Sequence, residues 1–363
     1  MKNEKIGIIG IGKLGLCFGL NLSKVGWDIV GVDKNEAYID LLKKNKLKSD
    51  EEYVNEYLNK YPFEYSTDIE EALKCNIIFV VVETPSTSDF KYDHSTIENI
   101  KEKLISFGTQ ESRKDIVINC TTFPGYCDTL HAELKELNYH VSYNPEFIAQ
   151  GTIIRDQVYC DNVLIGGADQ YAEDKIAKIH KSFALSNPII NKMSRTEAEI
   201  TKIASNCFLT TKISFANMIG DIAKGYNCSG EKILDAIGTD SRIGTKYLKP
   251  GFGFGGPCFP RDNRALAKCG EEVGVRAEIS IATDKMNKLH LEYQIDHLKK
   301  TVPLSQILEI DFLTYKKEST SLEESQQLEF AKKASKLGYK IKINDPRKEI
   351  LEQIEKEHNI KSI

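Results

Sequence analysis

The chain has 363 residues, of which 41% are hydrophobic and 28% are charged. Its length exceeds one average domain, so the composition indicates a soluble, globular protein of two or three domains. The 49 basic and 53 acidic residues leave a net charge of −4, which argues against nucleic acid or an anionic membrane as the partner and favours small molecules or other subunits.

Two whole classes of protein are excluded by the pattern of apolar residues and cysteines. No apolar run approaches the roughly 20 residues that a membrane span needs. The N-terminus passes from MKNEK directly into a strand pattern, without a signal-peptide core, so we expect a cytoplasmic protein. The nine cysteines never have CxxC spacing, which argues against a disulfide framework and a zinc site, and we expect no bound metal.

Residues 1 to about 190 alternate short β-branched segments with amphipathic helical patterns. The candidate strands are KIGIIG, DIVGVD, NIIFVVV, DIVINC, HVSYNP and NVLIGG. Strands that alternate with helices in this way form a mainly parallel sheet with helices on both faces. The N-terminal half is therefore predicted to be a Rossmann-like, doubly wound parallel sheet.

A dinucleotide fingerprint follows the first of these strands. Gly10, Gly12 and Gly15 form GxGxxG between the strand and a helix, where glycines allow a tight turn and the helix N-terminus presents N–H groups to a pyrophosphate. Asp33, at the end of the second strand, can accept a hydrogen bond from a ribose 2′-OH and would repel a 2′-phosphate, so NAD is favoured over NADP. The candidate cofactor contacts here are Gly10, Gly12, Lys13, Leu14, Gly15 and Asp33.

The apolar pattern in the middle of the chain predicts two long helical segments. From Thr196 to about Tyr226, apolar residues recur at helical spacing on more than one side, which indicates a helix buried all round, often by a second copy of itself. After a glycine-rich loop, a second helical pattern runs from about Asn263 to Lys300, with only weak interruptions near Gly270 and Gly274.

The C-terminal segment repeats an N-terminal pattern. The stretches that begin at Ser23 (SKVGWDIVGVDKNEAYIDLLKK) and Ser335 (SKLGYKIKINDPRKEILEQIEKE) both give a helix end, a glycine, a strand, an aspartate and a new helix. We therefore expect an α/β protein with an N-terminal Rossmann-like doubly wound parallel sheet (1–195), a central helical dimerisation region (196–300) and a truncated C-terminal Rossmann-like domain (301–363).

Cys258 is a candidate nucleophile within GFGFGGPCFPRD. It precedes a helix start marked by Pro260 and Asp262, where a helix dipole and unpaired amides favour a thiolate. On position alone a buried structural cysteine is the alternative. Lys202 and Asn206 are four residues apart on the long helix, and Glu199 is three residues before Lys202, so all three share one face. The lysine and the asparagine need a polar role on this face; a solvated stripe is the alternative.

Four ordered motifs extend over the middle of the chain: NPEFIAQG (144–151), EAEITKIASNCFLTTKISFANMI (197–219), DSRIG (240–244) and GFGFGGPCFPRD (251–262). In these motifs the chain resembles the nucleotide-sugar 6-dehydrogenases of the UDP-glucose/GDP-mannose dehydrogenase family. The UDP-glucose 6-dehydrogenases are the most similar subgroup, since CFP is followed by a basic residue and an aspartate. The resemblance implies oxidation of a sugar 6-alcohol to a carboxylate with two NAD, and a homodimer through the central helix.

The resemblance also implies roles for individual residues. Cys258 matches the nucleophile, which forms a thiohemiacetal and then a thioester. Lys202 matches a cation that stabilises oxyanions, and Asn206 matches its neutral donor partner. The resemblance implies six catalytic residues: Cys258, Lys202, Asn206, Asp262, Thr122 and Glu146.

The remaining roles concern water, cofactor and substrate. Asp262 matches an acid that orders the lysine and the hydrolytic water, while Thr122 and Glu146 match groups for water placement and proton transfer. Thr84 and Thr122 are expected to contact the cofactor. The residues implied for the substrate are Phe147, Lys202, Asn206, Arg242, Phe254, Gly255 and Lys316, with Arg242 reaching the substrate of a neighbouring subunit.

The sequence also departs from the family pattern. Ala149 and Gln150 stand where arginine and glutamate are common, Asn162 stands where arginine is common, and Glu323 replaces an arginine of the nucleotide loop. The last domain is also several dozen residues shorter than usual. These changes favour an alternative, a catalytically lapsed nucleotide-binding homologue or a partner subunit of an active dehydrogenase.

A further alternative is a two-electron dehydrogenase of a small hydroxy acid. It would keep the glycine fingerprint and Lys202 but would have no use for Cys258. Replacing Cys258 by serine separates the two enzymes, because only the four-electron reaction needs the thiol.

Overall fold

The computed structural model describes residues 4–360 and 362 and divides the chain into two compact units. The first unit ends at Lys202 and the second begins at Ile203. The proposed division into three domains, 1–195, 196–300 and 301–363, remains a prediction.

The first unit is built on one sheet of eight strands. Their order is β3-β2-β1-β4-β5-β6-β7-β8, and every neighbouring pair is parallel except β6 and β7. The chain reverses its direction of winding between β1 and β4, so the sheet is doubly wound, as predicted. The strands are β1 (Lys5–Ile9), β2 (Asp28–Val32), β3 (Glu64–Ser66), β4 (Ile77–Val80), β5 (Lys114–Ile118), β6 (Tyr139–Tyr143), β7 (Asn162–Gly166) and β8 (Ile189–Met193).

Helices cover both faces of this sheet, because successive strand residues point to opposite sides. Ile77 and Phe79 of β4 pack in one apolar layer, and Ile78 and Val80 pack in the other. The helices of this unit are α1 (Lys13–Lys24), α2 (Glu36–Lys43), α3 (Val54–Lys60), α4 (Ile69–Leu73), α5 (Ser95–Phe107), α6 (Tyr126–Leu134), α7 (Ile153–Val158) and α8 (Gln170–Phe183).

The long helix predicted from Thr196 is present as α9 (Arg195–Gly225), which begins in the first unit and continues in the second. The rest of the second unit contains five helices and two strands among the described residues. They are α10 (Gly230–Gly238), α11 (Phe259–Glu272), α12 (Glu278–Thr301), β9 (Leu308–Ile310), α13 (Gln326–Lys336), β10 (Ile341–Ile343) and α14 (Lys348–His358).

The C-terminal echo of the first unit is confirmed by its backbone. β9 and β10 pair in parallel with α13 between them, and Gly338 ends α13 at φ +93°, as Gly26 ends α1 at φ +91°. Both glycines adopt the left-handed conformation that glycine tolerates at a helix end. An apolar cluster that includes Ile341, Ile343 and Ile354 forms the core of this small sheet and its helices.

Two sequence expectations differ from the structure. The helical pattern at 263–300 is broken completely between α11 and α12, because Gly274 takes φ +71° and closes a turn. Strands β3 and β8 were also missed: β3 has only three residues, and Ile189 of β8 is exposed, so neither shows the apolar run of a buried strand.

Candidate active site

The glycine fingerprint folds into a tight turn ahead of α1. Gly10 has φ +90°, and a Cβ there would lie 2.4 Å from the carbonyl oxygen of Val81; a Cβ at Gly15 would lie 2.1 Å from the carbonyl oxygen of Gly10. Gly12 differs, because a Cβ there would have no neighbour within 4 Å, and it caps α1 without a side chain. Gly10 and Gly15 thus allow the backbone to pack closely, while the space beside Gly12 is free. A pyrophosphate that approaches the helix N-terminus would fit there.

The other fingerprint residues surround this turn. Asp33 follows β2 and is half-buried, with one carboxylate oxygen accepting from the N–H of Asn35. Lys13 is exposed and pairs with Asp50 at 3.0 Å, whereas Leu14 packs against the core of the unit. An additional contact, missed from the sequence, is the Tyr38 hydroxyl, which donates to the Ile11 carbonyl oxygen at 2.9 Å.

Thr84 and Thr122 both lie after carboxyl ends of central strands. Thr84 is buried, and its hydroxyl donates to the carbonyl oxygen of Thr121 at 2.8 Å. Thr122 has no solvent exposure, and its hydroxyl donates to Glu199 at 2.8 Å. In an open α/β sheet this edge is where ligands bind.

Glu199 is a buried carboxylate that the sequence places on the same helix face as Lys202 and Asn206, but that was not among the expected site residues. Its oxygens also accept from the N–H of Gly125 at 2.6 Å and of Cys127 at 2.9 Å, at the start of α6. Burial raises the pKa of the Glu199 carboxyl, while these hydrogen bonds lower it. Its position three residues before Lys202 was the one sequence signal that could have identified it.

Lys202 is held by the segment that follows β6. Its ammonium donates to the carbonyl oxygen of Glu146 at 2.7 Å and lies 4.5 Å from the centre of the Phe147 ring. Lys202 is also nearly buried, at 9% exposure, so its charge acts in a medium of low polarity. Three residues expected from the sequence, Lys202, Glu146 and Phe147, are thus in mutual contact within the first unit.

The Glu146 carboxyl has an unusual environment. Its Oε1 is inaccessible to solvent and has no hydrogen-bond partner among the described residues. Burial raises the pKa of Glu146 to about 7, and the positive charge of Lys202 opposes that shift. A carboxyl with this pKa exchanges protons near neutral pH, as a general acid or base must.

In the second unit, Cys258 is at the N-cap of α11 and is exposed. Pro260 lies in the first turn, and the N–H of Asp262 donates to the Cys258 carbonyl oxygen at 2.8 Å. The predicted helix start is therefore present, and the thiol is accessible rather than structural. Of the nine cysteines, Cys228 is the other exposed one.

Asp262 lies one helical turn after the thiol and is fully buried. Its Oδ2 accepts from the amide of Asn206 at 2.6 Å, and its Oδ1 accepts from Arg261 at 3.1 Å. The structure therefore brings together Asn206 and Asp262, which are 56 residues apart in sequence. Asn206 in turn is one turn beyond Lys202 along α9.

The glycine-rich loop before Cys258 is packed more tightly than its sequence suggests. A Cβ at Gly253 would lie 2.2 Å from Asn287 Oδ1, and one at Gly255 would lie 2.5 Å from the Glu324 carbonyl oxygen. Gly256 has φ +83° and faces the ring of Tyr315. At these three positions glycine allows the loop to pack closely against the rest of the second unit.

The other expected substrate residues are spread over the second unit. Phe254 is buried, with its N–H donating to Asn287 Oδ1 at 2.9 Å. Arg242 pairs with Asp240 at 2.6 Å but its side chain is 85% exposed, and Lys316 lies 3.7 Å from Glu318. Arg242 is thus displayed on the surface, where a second subunit could use it.

Two kinds of feature are absent from residues 4–360 and 362. No group of three or more His, Cys, Asp or Glu side chains in this part of the chain could hold a metal ion. None of its helices combines the length and the apolar character that crossing a membrane requires.

Comparison with known proteins connects both units to one family. Residues 4–184 match the NAD binding domain of the UDP-glucose/GDP-mannose dehydrogenase family, and residues 196–289 match its central domain. The UDP-glucose 6-dehydrogenase YwqF of Bacillus subtilis (strain 168) is 29% identical over 354 residues, which cover 94% of this chain and 79% of the relative. The UDP-glucose 6-dehydrogenase of Rickettsia conorii (strain ATCC VR-613 / Malish 7) is 31% identical over 309 residues, which cover 81% of this chain and 68% of the relative.

Solved structures agree with these relatives. A UDP-glucose dehydrogenase from the hyperthermophilic archaeon Pyrobaculum islandicum is similar at a TM-score of 0.88 and 25% identity, covering 99% of this chain and 86% of that one. A UDP-D-ManNAc dehydrogenase from Pyrococcus horikoshii has a TM-score of 0.80 at 21% identity, covering 93% and 82%, and shares the fold.

Proposed function

Because this chain belongs to the UDP-glucose/GDP-mannose dehydrogenase family, we propose that it oxidises the 6-alcohol of a UDP-hexose of the UDP-glucose type to the uronic acid. The observation that carries this proposal is the position of Cys258, an exposed thiol at the N-cap of α11, one turn before the buried Asp262. A two-electron dehydrogenase needs no such thiol.

NAD is the cofactor, and when bound it accepts the hydrides that leave the sugar carbon. The residues that would hold it are those of the glycine turn, with the pyrophosphate at Gly12 and the helix N-terminus. Asp33 would accept from the ribose hydroxyls.

The thiol would retain the intermediate. Once the alcohol has lost a hydride and a proton, the Cys258 sulfur bonds to the aldehyde carbon and gives a thiohemiacetal. Loss of a second hydride gives a thioester, and water then displaces the sulfur and releases the carboxylic acid. The helix N-terminus at Cys258 favours the thiolate that attacks.

Two side chains would stabilise charge during these steps, and a third would order water. Lys202, oriented by the Glu146 carbonyl oxygen, supplies a positive charge for the developing oxyanions. The Asn206 amide donates one hydrogen to Asp262, and its second amide hydrogen would be donated to an oxyanion. Asp262 would order the hydrolytic water.

Thr122 and Glu146 would place water and move protons. We assign water placement to Thr122, whose hydroxyl is held in position by its hydrogen bond to Glu199. Glu146 is poised to titrate near pH 7, which suits proton transfer from the alcohol.

The substrate class rests on the relatives and on residues of the second unit. UDP-glucose 6-dehydrogenases of Bacillus subtilis and Rickettsia conorii are among the most similar relatives. We assign sugar and nucleotide contacts to Phe254, Gly255 and Lys316, and a contact with the neighbouring subunit's substrate to Arg242.

We also propose a homodimer through α9. This helix exposes Phe208 (67%), Phe215 (42%) and Ile222 (51%), spaced by seven residues, which is the repeat of a helix that packs against another helix. An exposed apolar stripe of this kind is expected to be covered by a partner.

Activity measurements with cysteine variants test the function. Purified chain with NAD and UDP-glucose should form NADH, and GDP-mannose or UDP-ManNAc should give slower rates. Cys258→Ser should abolish release of the acid, whereas Cys228→Ser, at the other exposed cysteine, should keep wild-type turnover. Equal activity of Cys258→Ser and wild type, or no NADH with any of these sugars, would contradict the proposal.

A further inference from the structure

A small cavity of about 100 Å³ lies within the first unit, between the end of β6 and the helices α7 and α8. Asp161 and Asn162, at the start of β7, are exposed and form its rim. The side chains that matter for its chemistry are Glu146, Gln157, Cys160, Asn162 and His180.

Two buried polar atoms of this lining lack partners among the described residues. Glu146 Oε1 is an acceptor without a donor, and Gln157 Nε2 is a donor without an acceptor. Gln157 is 2% exposed, and its Oε1 is fixed by the amide of Asn21 at 2.8 Å. Burying an unpaired donor or acceptor is costly, so such atoms normally meet a protein group or an ordered water.

His180 adds a third polar group. Its Nε2 is 2.7 Å from Asn144 Oδ1, and the Asn144 amide nitrogen donates elsewhere, to the Leu164 carbonyl oxygen, so Nε2 carries the hydrogen. Burial lowers the pKa of His180 to about 4, so near neutral pH the ring is uncharged and Nδ1 is an acceptor.

We propose that this cavity is an internal water site, in which water molecules bridge the Gln157 amide to the Glu146 carboxyl. A cavity of this volume has room for several waters. Water satisfies both orphaned atoms at once, because it accepts from Gln157 and donates to Glu146.

A cation fits this lining less well than water. A cation would pair with Glu146 but would face the N–H groups of Gln157, which repel it. A metal ion has no set of three His, Cys, Asp or Glu ligands within the part of the chain that the structure describes.

The site gives Glu146 a route for its proton. The charged and titratable groups around this carboxyl are Lys202 from α9, Cys160 and Asp161 after α7, and His180 from α8. Waters in the cavity would connect Glu146 to the rim at Asn162, so the carboxyl could equilibrate with solvent there. This consequence rests on the proposed function, whereas the presence of water does not.

High-resolution crystallography of the whole chain tests the site directly. We expect ordered water within hydrogen-bond distance of both Glu146 Oε1 and Gln157 Nε2, and no anomalous peak in the cavity after soaking crystals in rubidium chloride. A rubidium peak beside Glu146, or a direct contact that closes the cavity without water, would overturn the proposal.

A variant pair tests the link to protonation in solution. In chain labelled with ¹³C at glutamate carboxyls, the Glu146 signal, assigned by its loss in Glu146→Gln, should titrate near pH 7. Asn162→Arg introduces a guanidinium at the rim that displaces water and pairs with the carboxyl, so the midpoint should fall by about one pH unit or more. Tyr159→Arg, at an exposed residue outside the lining, is the matched control and should leave the midpoint unchanged.

An unchanged midpoint in Asn162→Arg, or an equal shift in both arginine variants, would contradict the proposal. These readouts do not involve turnover. A chain without dehydrogenase activity that still shows the waters and the shift would therefore refute the proposed function and leave the water site standing.

Discussion

Glu199 has two oxygens that receive three hydrogen bonds, from the Thr122 hydroxyl and from two backbone N–H groups at the start of α6. This arrangement fixes the Thr122 hydroxyl as a donor to Glu199 and fixes the turn that precedes α6. The carboxylate thus acts on the site through Thr122, as a positioning residue three positions before Lys202.

We predict that Glu199→Gln lowers kcat by about tenfold or more, since small misplacements of positioned groups carry large kinetic costs. An amide has only one acceptor oxygen, so its NH₂ group would face a donor. Glu197→Gln is the matched control, because Glu197 lies on the same helix but is exposed and bonds only to Ser194. Similar steady-state kinetics for the two variants would contradict this role.

The raised pKa of Glu146 leads us to predict that the stability of the chain depends on pH. Its pKa in the folded chain is about 7, above the usual 4.5, so the folded state binds more protons than the unfolded state between these values. Stability from this group is therefore full below about pH 4.5 and is lost as the pH rises towards 7.

Glu146→Gln should remove this loss. Relative to wild type, the variant should gain unfolding free energy between pH 5 and pH 8, by an amount on the order of 2 kcal/mol. Urea denaturation at both pH values measures the difference, with Glu136→Gln as an exposed surface control in the same unit. A variant that gains nothing relative to wild type over this interval would refute the raised pKa.

Sequence and structure agree best at residues whose function depends on local geometry. The glycine turn, Asp33 and the N-cap position of Cys258 follow from spacing within one strand, turn or helix. The contact between Thr122 and Glu199 joins residues 77 positions apart, and the burial of Glu146 depends on side chains from α7 and α8, so neither could be predicted from local pattern.

At the scale of elements, the turn before α1 contains two glycines, Gly10 and Gly12, that differ in the space around them. A side chain at Gly12 meets nothing within 4 Å, whereas one at Gly10 would strike the carbonyl group of Val81 in a left-handed backbone conformation. The fold therefore requires glycine at Gly10, whereas at Gly12 it leaves open space, which we assign to the cofactor.

We therefore predict opposite outcomes for Gly12→Val and Gly10→Val. Gly12→Val should keep a wild-type melting temperature and weaken NAD binding by about tenfold or more, because the added side chain fills the space for the pyrophosphate. Gly10→Val should lower the melting temperature severely. Calorimetric titration with NAD and thermal melts distinguish the two, and tight NAD binding by Gly12→Val would contradict the assignment.

The exposed stripe on α9 makes a prediction about assembly. Phe215→Glu should shift the chain from dimer to monomer in light scattering, since a charge in a helix pair costs more than the apolar contact it replaces. Ile233→Glu, at a partly exposed residue of α10, is the control and should leave the mass unchanged. A monomeric wild type would refute the dimer.

Elements with strong periodicity were predictable and those without it were not. The short apolar runs of β1, β4 and β5 and the long helical pattern of α9 all appear in the structure where the sequence indicates them. The break between α11 and α12 was underestimated because one glycine in a helical pattern is often tolerated, and only the observed φ of Gly274 shows that it ends the helix.

At the scale of the whole molecule, the residues proposed for the reaction are found in both units. The first carries the dinucleotide turn, Lys202 and Glu146, and the second carries Cys258, Asn206 and Asp262. Within the second unit the glycine loop is closed against residues 323–325 and against α12, and Arg264 pairs with Glu324 at 2.7 Å. Glu324, the neighbour of the Glu323 that departs from the family pattern, therefore has a packing role that sequence alone could not show.

The stoichiometry of NADH tests the central claim that the thiol supports a four-electron oxidation. With limiting UDP-glucose and excess NAD, wild-type chain should form two NADH for each uronic acid produced. One NADH per sugar, with an aldehyde or ketone as the product and no effect of blocking Cys258, would contradict the account.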